Sequence, residues 1–560
     1  MSLTLITGVL SGLCFGFIMA IVANVFVIGV KFFSNLRAIE LNALLEIESL
    51  GISLSAPICL VIAAFLVVLI RKKLNIPRWH GPSDAIFAAH RTDNELDVKS
   101  GFGSTLAAFV SASGGASVGQ YGPLVHFGAT MGSFIRTIAK GSLTTDIYIG
   151  CGVAGAISAG FNAPIAGIIF AHEAILRHFS FRAVAPISIS SISAAWFSEY
   201  IFGNTILFDL SDIPIDLAGV LPSALLAGPV FACVAILFMN SIRHSTQYAN
   251  STGWSVMRLA ITAAVITGTV GIFIPEILGL GIGALAALLA GHYDLSFLFI
   301  LFVAKLLLTA LCLGWGLFGG VFSPAIFVGA SFGAIIGRFI ESFGLAGAGV
   351  ALSICGMAAV SAAVIGAPIS AVIIILEMTM NYELALVAMI SVMSCVLLTN
   401  ATFGHSFFDR QLLDRNIDVS MGRGHLELME KQVIEMTSDS FVQLTPEMVA
   451  DHAIEELVLA GSSEAYVVDG STNKFVGKVS YTDLHGRVGI PVARLLQKNP
   501  ISIKHDASLQ QAMQVASKFV GESIPVLNRK NGILVGVITE ADLFRMYLEL
   551  QEKVVDLERK

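Results

Sequence analysis

Long runs without a charged side chain recur through the first 421 residues of this 560-residue chain. They are Met1–Val30, Leu54–Ile70, Ser100–Ile135, Leu217–Ile242, Leu259–Pro275, Leu306–Gly337, Ser342–Leu376 and Leu384–Phe408. One helix needs roughly 20 apolar residues to cross a bilayer, so each run spans or nearly spans a membrane, and several are too long for a single helix. We predict a polytopic all-α membrane protein rather than a soluble enzyme.

The charge density changes at Met421. Charged residues make up about 9% of residues 1–421 and about 24% of residues 422–560, and about 25% is typical of soluble proteins. The first part is predicted to lie in lipid and the second in water. The net charge of −7 is spread over both parts, which argues against a nucleic-acid partner.

The N-terminal run has no basic segment before it, so we interpret it as a first membrane helix and not as a cleaved signal peptide. The basic cluster Arg71-Lys72-Lys73 closes the second span and favours the cytoplasmic side, together with the N-terminus. All seven cysteines lie in the apolar part without a C-x-x-C spacing, which predicts buried thiols and no metal site.

Glycine and proline interrupt the apolar runs at 119–123, 319–324, Ala163-Pro164 and Ala367-Pro368. A broken helix is tolerated in lipid only where the freed backbone is buried or lines a polar cavity. These breaks are therefore candidate solute sites.

The apolar part contains a long internal repeat. Cys151–Glu173 aligns without gaps on Cys355–Glu377, with nine identities in 23 positions, and the glycine-proline motif at 119–132 matches that at 320–333. We predict an inverted repeat, with its two halves over roughly 1–205 and 206–421, which is the usual plan of a transporter with its solute held between the halves. Glu173 and Glu377 occupy equivalent positions and are predicted to make inter-helix hydrogen bonds or to face a cytoplasmic vestibule, rather than to carry protons.

The segments Gly119–Pro123 and Gly320–Pro324 each place glycine and proline at the start of an apolar helical run. Helix N-termini carry unpaired N–H groups and a partial positive charge, which suit an anion. Two such ends facing each other would hold one anion weakly enough to release it, and no cofactor is required.

A second, shorter repeat lies after Met421. Residues 464–484 match residues 523–543 at an offset of 59. Each unit predicts a strand, a polar turn, a second strand and a helix that Ser480 or Thr539 caps, so we expect paired α/β modules.

These motifs together resemble the CLC family of chloride channels and chloride/proton antiporters. Gly119–Pro123 is similar to that family's G-R/K-E-G-P segment, Gly320–Pro324 to its G-x-F-x-P segment, and Gly404–Asp409 to its last membrane helix. Residues 422–560 are similar to the paired CBS modules of many members, with CBS1 at roughly 430–490 and CBS2 at roughly 491–550.

The resemblance implies a homodimer in a bacterial inner membrane, with one pore per subunit and the CBS tail in the cytoplasm. It implies that the amides of Val321 and Phe322, an aromatic residue of the last helix and the loop Gly81–Ala85 hold the anion. An ungapped match puts Pro82 in the family's serine position, and a one-residue shift puts Ser83 there. The predicted anion pathway comprises Pro82, Ser83, Gln120, Tyr121, Gly122, Val321, Phe322 and Phe408.

Three departures from the family pattern bear on mechanism. Tyr121 replaces the gating glutamate, Ala174 beside Glu173 replaces the inner proton glutamate, and Phe408 replaces the pore tyrosine. A phenol titrates near a pKa of about 10 and an alanine carries no proton. We therefore predict a passive chloride-type channel with Tyr121 as a steric gate. The alternative is an anion/proton antiporter whose proton path uses Tyr121, Glu173 or water.

In the tail, Ser480 with Asp483 and Thr539 with Asp542 resemble the CBS pattern in which a hydroxyl meets phosphate and an aspartate meets ribose. They suggest an adenine nucleotide as ligand. The alternative is that these residues only cap their helices.

Overall fold

The computed structural model describes residues 2–41, 44–47, 52–91, 94–139, 143–203, 208, 210, 217–345, 347–420 and 427–559. The chain divides into two compact units, Met1–Ile417 and Asp418–Lys560. The predicted change in charge density at Met421 falls outside the described residues.

The first unit contains, in the part that the structure describes, only two strands, which form the antiparallel pair β1 (Glu46–Ile47) and β2 (Ile52–Ser53). Its α-helices are α1 (Ser2–Leu36), α2 (Ser55–Lys73), α3 (Pro82–His90), α4 (Val98–Gly114), α5 (Tyr121–Ala139), α6 (Thr145–Phe161), α7 (Pro164–Phe170), α8 (Phe181–Phe202), α9 (Leu217–Ser251), α10 (Val256–Phe273), α11 (Ile282–Leu289), α12 (Leu295–Gly314), α13 (Phe322–Glu341), α14 (Ala348–Ile365), α15 (Pro368–Thr379), α16 (Tyr382–Thr402) and α17 (Phe407–Leu413). A π-helical turn, Ala171–Leu176, continues α7. In the described part of the chain, eight helical segments are long and apolar enough to cross a membrane.

The helices break where glycine and proline predict it. α4 ends at Gly114 and α5 begins at Tyr121, and likewise α12 ends at Gly314 and α13 begins at Phe322. Between α6 and α7 the chain turns at Asn162, which has a φ of 53°, and between α14 and α15 it turns at Gly366, with a φ of 73°. α7 and α15 then each begin with a proline, which needs no intrahelical acceptor at that position.

Equivalent helix pairs of the two repeats pack through facing glycines. Gly128 of α5 lies against Gly152 of α6, and Gly329 of α13 lies against Gly356 of α14. A Cβ at any of these four positions would overlap the backbone of the facing helix. Small residues let membrane helices approach closely. The α5–α6 pair and the α13–α14 pair therefore pack in the same way, as the sequence repeat predicts.

The second unit is α/β. Its elements are β3 (Val442–Leu444), α18 (Ala450–Ala460), β4 (Glu464–Val468), β5 (Phe475–Ser480), α19 (Tyr481–Leu484), β6 (Gln497–Lys498), β7 (Ile503–Lys504), α20 (Leu509–Ala516), β8 (Ile524–Leu527), β9 (Leu534–Ile538) and α21 (Glu540–Arg559). The sheets have the orders β3-β4-β5-β6 and β7-β8-β9. In both, a parallel pair is followed by an antiparallel pair, so the predicted strand–turn–strand–helix repeat is confirmed.

Candidate anion pathway

The two repeated pore motifs meet at their glycines. Gly119 N–H donates to Gly320 O at 2.7 Å, and Gly320 N–H donates to Gly119 O at 2.6 Å. A Cβ at Gly119 would lie 2.9 Å from Gly320 O, so a larger residue does not fit without movement. The bridge places the starts of α5 and α13 side by side, where the first amides of each helix have no intrahelical acceptor.

The segment at 81–85 is not a loop, so that expectation was wrong. Gly81 is the N-cap of α3, Pro82 is its first residue, and Gly81 N–H donates to Asp84 Oδ2 at 3.0 Å. Proline at the first position and an acidic residue at the third are both helix-start signals. Since Pro82 has no N–H, Ser83 supplies the first free amide of this helix.

Five of the eight predicted pathway residues line one cavity of about 370 Å³. They are Pro82, Ser83, Gly122, Val321 and Phe408. These residues come from the starts of α3, α5, α13 and α17, which are up to 326 positions apart in the chain. The fold therefore assembles the segments that the family resemblance grouped together.

The other three predicted residues are buried behind the cavity. Gln120, Tyr121 and Phe322 are 1%, 6% and 5% exposed. The Tyr121 ring stacks on Phe161, with centroids 3.4 Å apart and planes at 13°, and meets the Phe322 ring edge-on at 5.7 Å. Phe161 was missed at the sequence level, because one more phenylalanine at the end of an apolar helix gives no signal of its own.

An ion cluster at the cavity was also missed. Asp84 accepts hydrogen bonds from both terminal nitrogens of Arg78 and, at 3.0 Å, from an Nη of Arg415. Both arginines line the cavity, and the Asp84 side chain is 6% exposed. Asp414 also lines the cavity and accepts hydrogen bonds from Arg243, so three guanidinium groups and two carboxylates meet here.

Glu173 and Glu377 cap each other's helices. Glu173 accepts hydrogen bonds from Ile369 N–H at 3.0 Å and from Ser370 N–H at 2.7 Å at the start of α15. Glu377 accepts from Ile165 N–H at 2.9 Å and Ala166 N–H at 2.8 Å at the start of α7. The predicted inter-helix hydrogen bonds are confirmed.

Ala174 follows Glu173 in the π-helical turn and is 5% exposed. The same turn leads to Arg177, which donates to Asp409 Oδ1 at 2.5 Å in α17, directly after Phe408. This ion pair links the turn to α17, the helix that carries the predicted pathway residue Phe408.

In the second unit, the residues predicted to bind nucleotide are engaged as helix caps. Ser480 Oγ donates to Asp483 Oδ2 at 2.6 Å, and Thr539 Oγ1 donates to Asp542 Oδ2 at 2.6 Å. Beside the first pair, a cavity of about 470 Å³ is lined by Leu457, Val458, Gly461, Ser462, Ser463, Glu464, Ser480, Tyr481 and Thr482. The hydrogen bond between Ser480 and Asp483 does not fill this cavity. Ser480 can therefore cap its helix and contact a ligand at the same time.

The described residues contain no cluster of histidine, cysteine, aspartate and glutamate that could hold a metal ion. All seven cysteines are free thiols. Cys151, Cys312, Cys355 and Cys395 are buried, but Cys14 and Cys233 are exposed, so the prediction of buried thiols was wrong for these two.

The chain is similar in sequence and in fold to known transport proteins. The chain shares 29% identity over 319 residues, which is 54% of this chain and 67% of its relative, with the H(+)/Cl(−) exchange transporter ClcA of Vibrio cholerae. Its fold matches a slow cyanobacterial Cl⁻/H⁺ antiporter with a TM-score of 0.65 and 20% identity, over 73% of this chain and 97% of that one. It matches a eukaryotic CLC transporter with a TM-score of 0.63 and 20% identity, over 97% and 99%. The chain thus has the fold of the integral, multi-pass CLC transporters.

The family described as "Voltage gated chloride channel" matches residues 59–400, and the family described as "CBS domain" matches residues 492–549. Because the first match covers more than half of the sequence, the chain belongs to the voltage-gated chloride channel family, whose function is anion transport. It also carries a C-terminal CBS domain. A first CBS module over roughly 430–490 stays a prediction.

Proposed function

We propose that this protein is a passive chloride-type anion channel that does not exchange protons stoichiometrically. The observation that carries the proposal is the state of the carboxylates beside the predicted path. Glu173, the neighbour of Ala174, accepts hydrogen bonds from two amides and one hydroxyl of α15. Asp84, the neighbour of Ser83, is paired with two guanidinium groups. Asp414, which lines the cavity, accepts hydrogen bonds from Arg243. All three carboxylates are engaged as acceptors, which opposes a role as mobile proton carriers.

The conduction route proceeds from the charged cavity to the amides of Val321 and Phe322. Anions concentrate beside Arg78 and Arg415 and then meet the first amides of α3 and α13. The amides themselves carry only the partial positive charge of a helix end, so they bind an anion weakly enough for release. Phe408 supplies an apolar wall without a hydroxyl donor.

The proposal predicts chloride flux without proton flux. Liposomes that contain the full-length protein and a chloride gradient should release chloride when valinomycin clamps the voltage, while an internal pH dye stays constant. Sustained uphill proton movement driven by chloride would refute passive conduction and favour the antiporter alternative.

Tyr121→Phe is the matched control for this assay, because it removes the hydroxyl and keeps the ring. We expect the same chloride flux and the same constant pH as in the wild type. If the wild type moves protons uphill and Tyr121→Phe does not, the phenol is part of a proton path.

We further propose that an adenine nucleotide regulates the channel through the cavity beside Ser480. Ser480, Thr482 and Ser463 offer hydroxyl groups there, and Tyr481 offers a ring face. Glu522 accepts from the hydroxyl of Ser463, and this hydrogen bond lowers the pKa of the Glu522 carboxyl. A permanent negative charge beside the cavity favours a nucleoside or monophosphate over a triphosphate.

This proposal predicts that AMP stabilises the full-length protein in detergent more than ATP at equal concentration. A thermal shift assay measures it, and a Ser480→Gly variant, which removes the hydroxyl and largely retains capping ability, should lose the shift. Equal melting temperatures with and without AMP would leave capping as the sole role of Ser480.

The homodimer, the cytoplasmic tail and the bacterial inner membrane stay predictions from the family resemblance.

A further inference from the structure

Three aromatic rings form a closed cluster at the junction of the two repeats. Tyr121 is the first residue of α5, Phe161 is the last residue of α6, and Phe322 is the first residue of α13. Tyr121 stacks face-to-face on Phe161, and both rings meet Phe322 edge-on, at centroid distances of 5.7 and 5.2 Å. We call these three residues the aromatic cluster.

The cluster leaves little room for Tyr121 to move in place. The three side chains are 6%, 1% and 5% exposed. Gly160 lies against the ring, because a Cβ there would be 3.1 Å from Tyr121 Cε1 and 3.2 Å from Cδ1. The Tyr121 ring therefore leaves this position only by separating from Phe161.

The cluster adjoins the lining of the cavity along the chain. Gly122 and Val321 line the cavity, and they are the chain neighbours of Tyr121 and Phe322. The lining residues that the structure describes include none of the three rings. A constriction of apolar rings excludes ions by dewetting, so an anion that passes between the repeats requires the cluster to open.

We propose that Phe161 is a positioning residue that holds the Tyr121 gate closed through ring stacking. The inference rests on the proposed function, because it takes Tyr121 as the gate of a conducting pore. Phe161 acts on the anion through Tyr121 and not by contact. In the closed state the stack and the two edge-on contacts are intact, and in the open state the Tyr121 ring has left the face of Phe161.

Removal of the stacking partner is expected to raise the open fraction. Phe161→Ala should increase the initial rate of chloride efflux from liposomes by roughly 3- to 10-fold, the range expected for the loss of one aromatic pair. Phe161→Leu keeps apolar bulk but not the stack, and it should give an increase in the same direction. This second variant covers the case in which Phe161→Ala does not fold.

A control variant outside the pathway and a double variant separate gating from general loosening of the fold. Phe26→Ala removes a buried phenylalanine of α1 that is also paired edge-on, with Phe109 at 5.4 Å, and it should not raise efflux. A double variant, Tyr121→Ala with Phe161→Ala, should conduct no faster than Tyr121→Ala alone, because the stack is already absent.

The outcomes separate the positioning role of Phe161 from the channel function itself. If the wild type conducts and neither Phe161 variant exceeds it, the positioning role of Phe161 is overturned and the channel proposal stands. An equal increase from Phe161→Ala with and without the Tyr121 ring would also overturn it. If no variant conducts chloride, including Tyr121→Ala, the proposed function itself fails.

Discussion

Gly320→Ala is expected to reduce chloride efflux by roughly tenfold or more. A Cβ on Gly320 would lie 2.8 Å from Gly122 N and 3.2 Å from Gly119 O, and both of these are backbone atoms that cannot rotate away. Forcing an extra carbon into a packed site costs about 1–3 kcal/mol, and about 1.4 kcal/mol is tenfold in a population. The strain falls on the amides that the anion must reach, so flux is the sensitive readout.

The matched control is Gly283→Ala in α11, where a Cβ would meet no atom within 4 Å. We expect normal efflux from this variant in the same liposome assay. Both proteins should be compared at equal reconstituted amounts, so that loss of flux is separated from loss of protein. Normal conduction by Gly320→Ala would mean that the bridge between Gly119 and Gly320 is not needed for the pore.

Glu173→Ala and Glu377→Ala are expected to cause similar, large losses of thermal stability. Each substitution leaves two helix N–H groups without their carboxylate acceptor. Hydrogen bonds to a charged group contribute about 1.5–3 kcal/mol, so the loss should appear as a melting temperature lowered by several degrees. Fluorescence-detected size exclusion of the heated, detergent-solubilised protein measures this shift.

Glu199→Ala provides the control for these two variants, because Glu199 is an exposed carboxylate near the end of α8. It should melt as the wild type does. A Glu173→Ala protein that melts normally would contradict the capping role. A Glu173→Gln protein that abolishes a measurable proton flux would place Glu173 in a proton path instead.

The elements that the sequence predicted are those with local chemical signals. Glycine and proline set the breaks before α5, α13, α7 and α15, and Ser480 occupies the helix-cap position that its residue type favours. Pro82 and Asp84 are residue types that favour a helix start, so the sequence contained a signal for α3. The resemblance to the family predicted a loop at this place instead.

The contacts that the sequence could not predict join distant positions of the chain. Asp84 and Arg415 are 331 residues apart, and neither the spacing nor the residue types indicate that they pair. Phe161 stacks on Tyr121 only because α5 and α6 pack closely through Gly128 and Gly152. Such contacts depend on how the helices pack, which periodicity and composition do not encode.

The exchange of caps between Glu173 and Glu377 also affects how the chain is made. The amides at the start of α7 gain their acceptor only after residue 377 has been synthesised, 211 or more positions later. The N-terminal half therefore waits in the bilayer with an unfinished helix end until its counterpart is inserted. We therefore expect the two halves to dock only after residue 377 has left the ribosome, while up to 183 further residues are still to be synthesised.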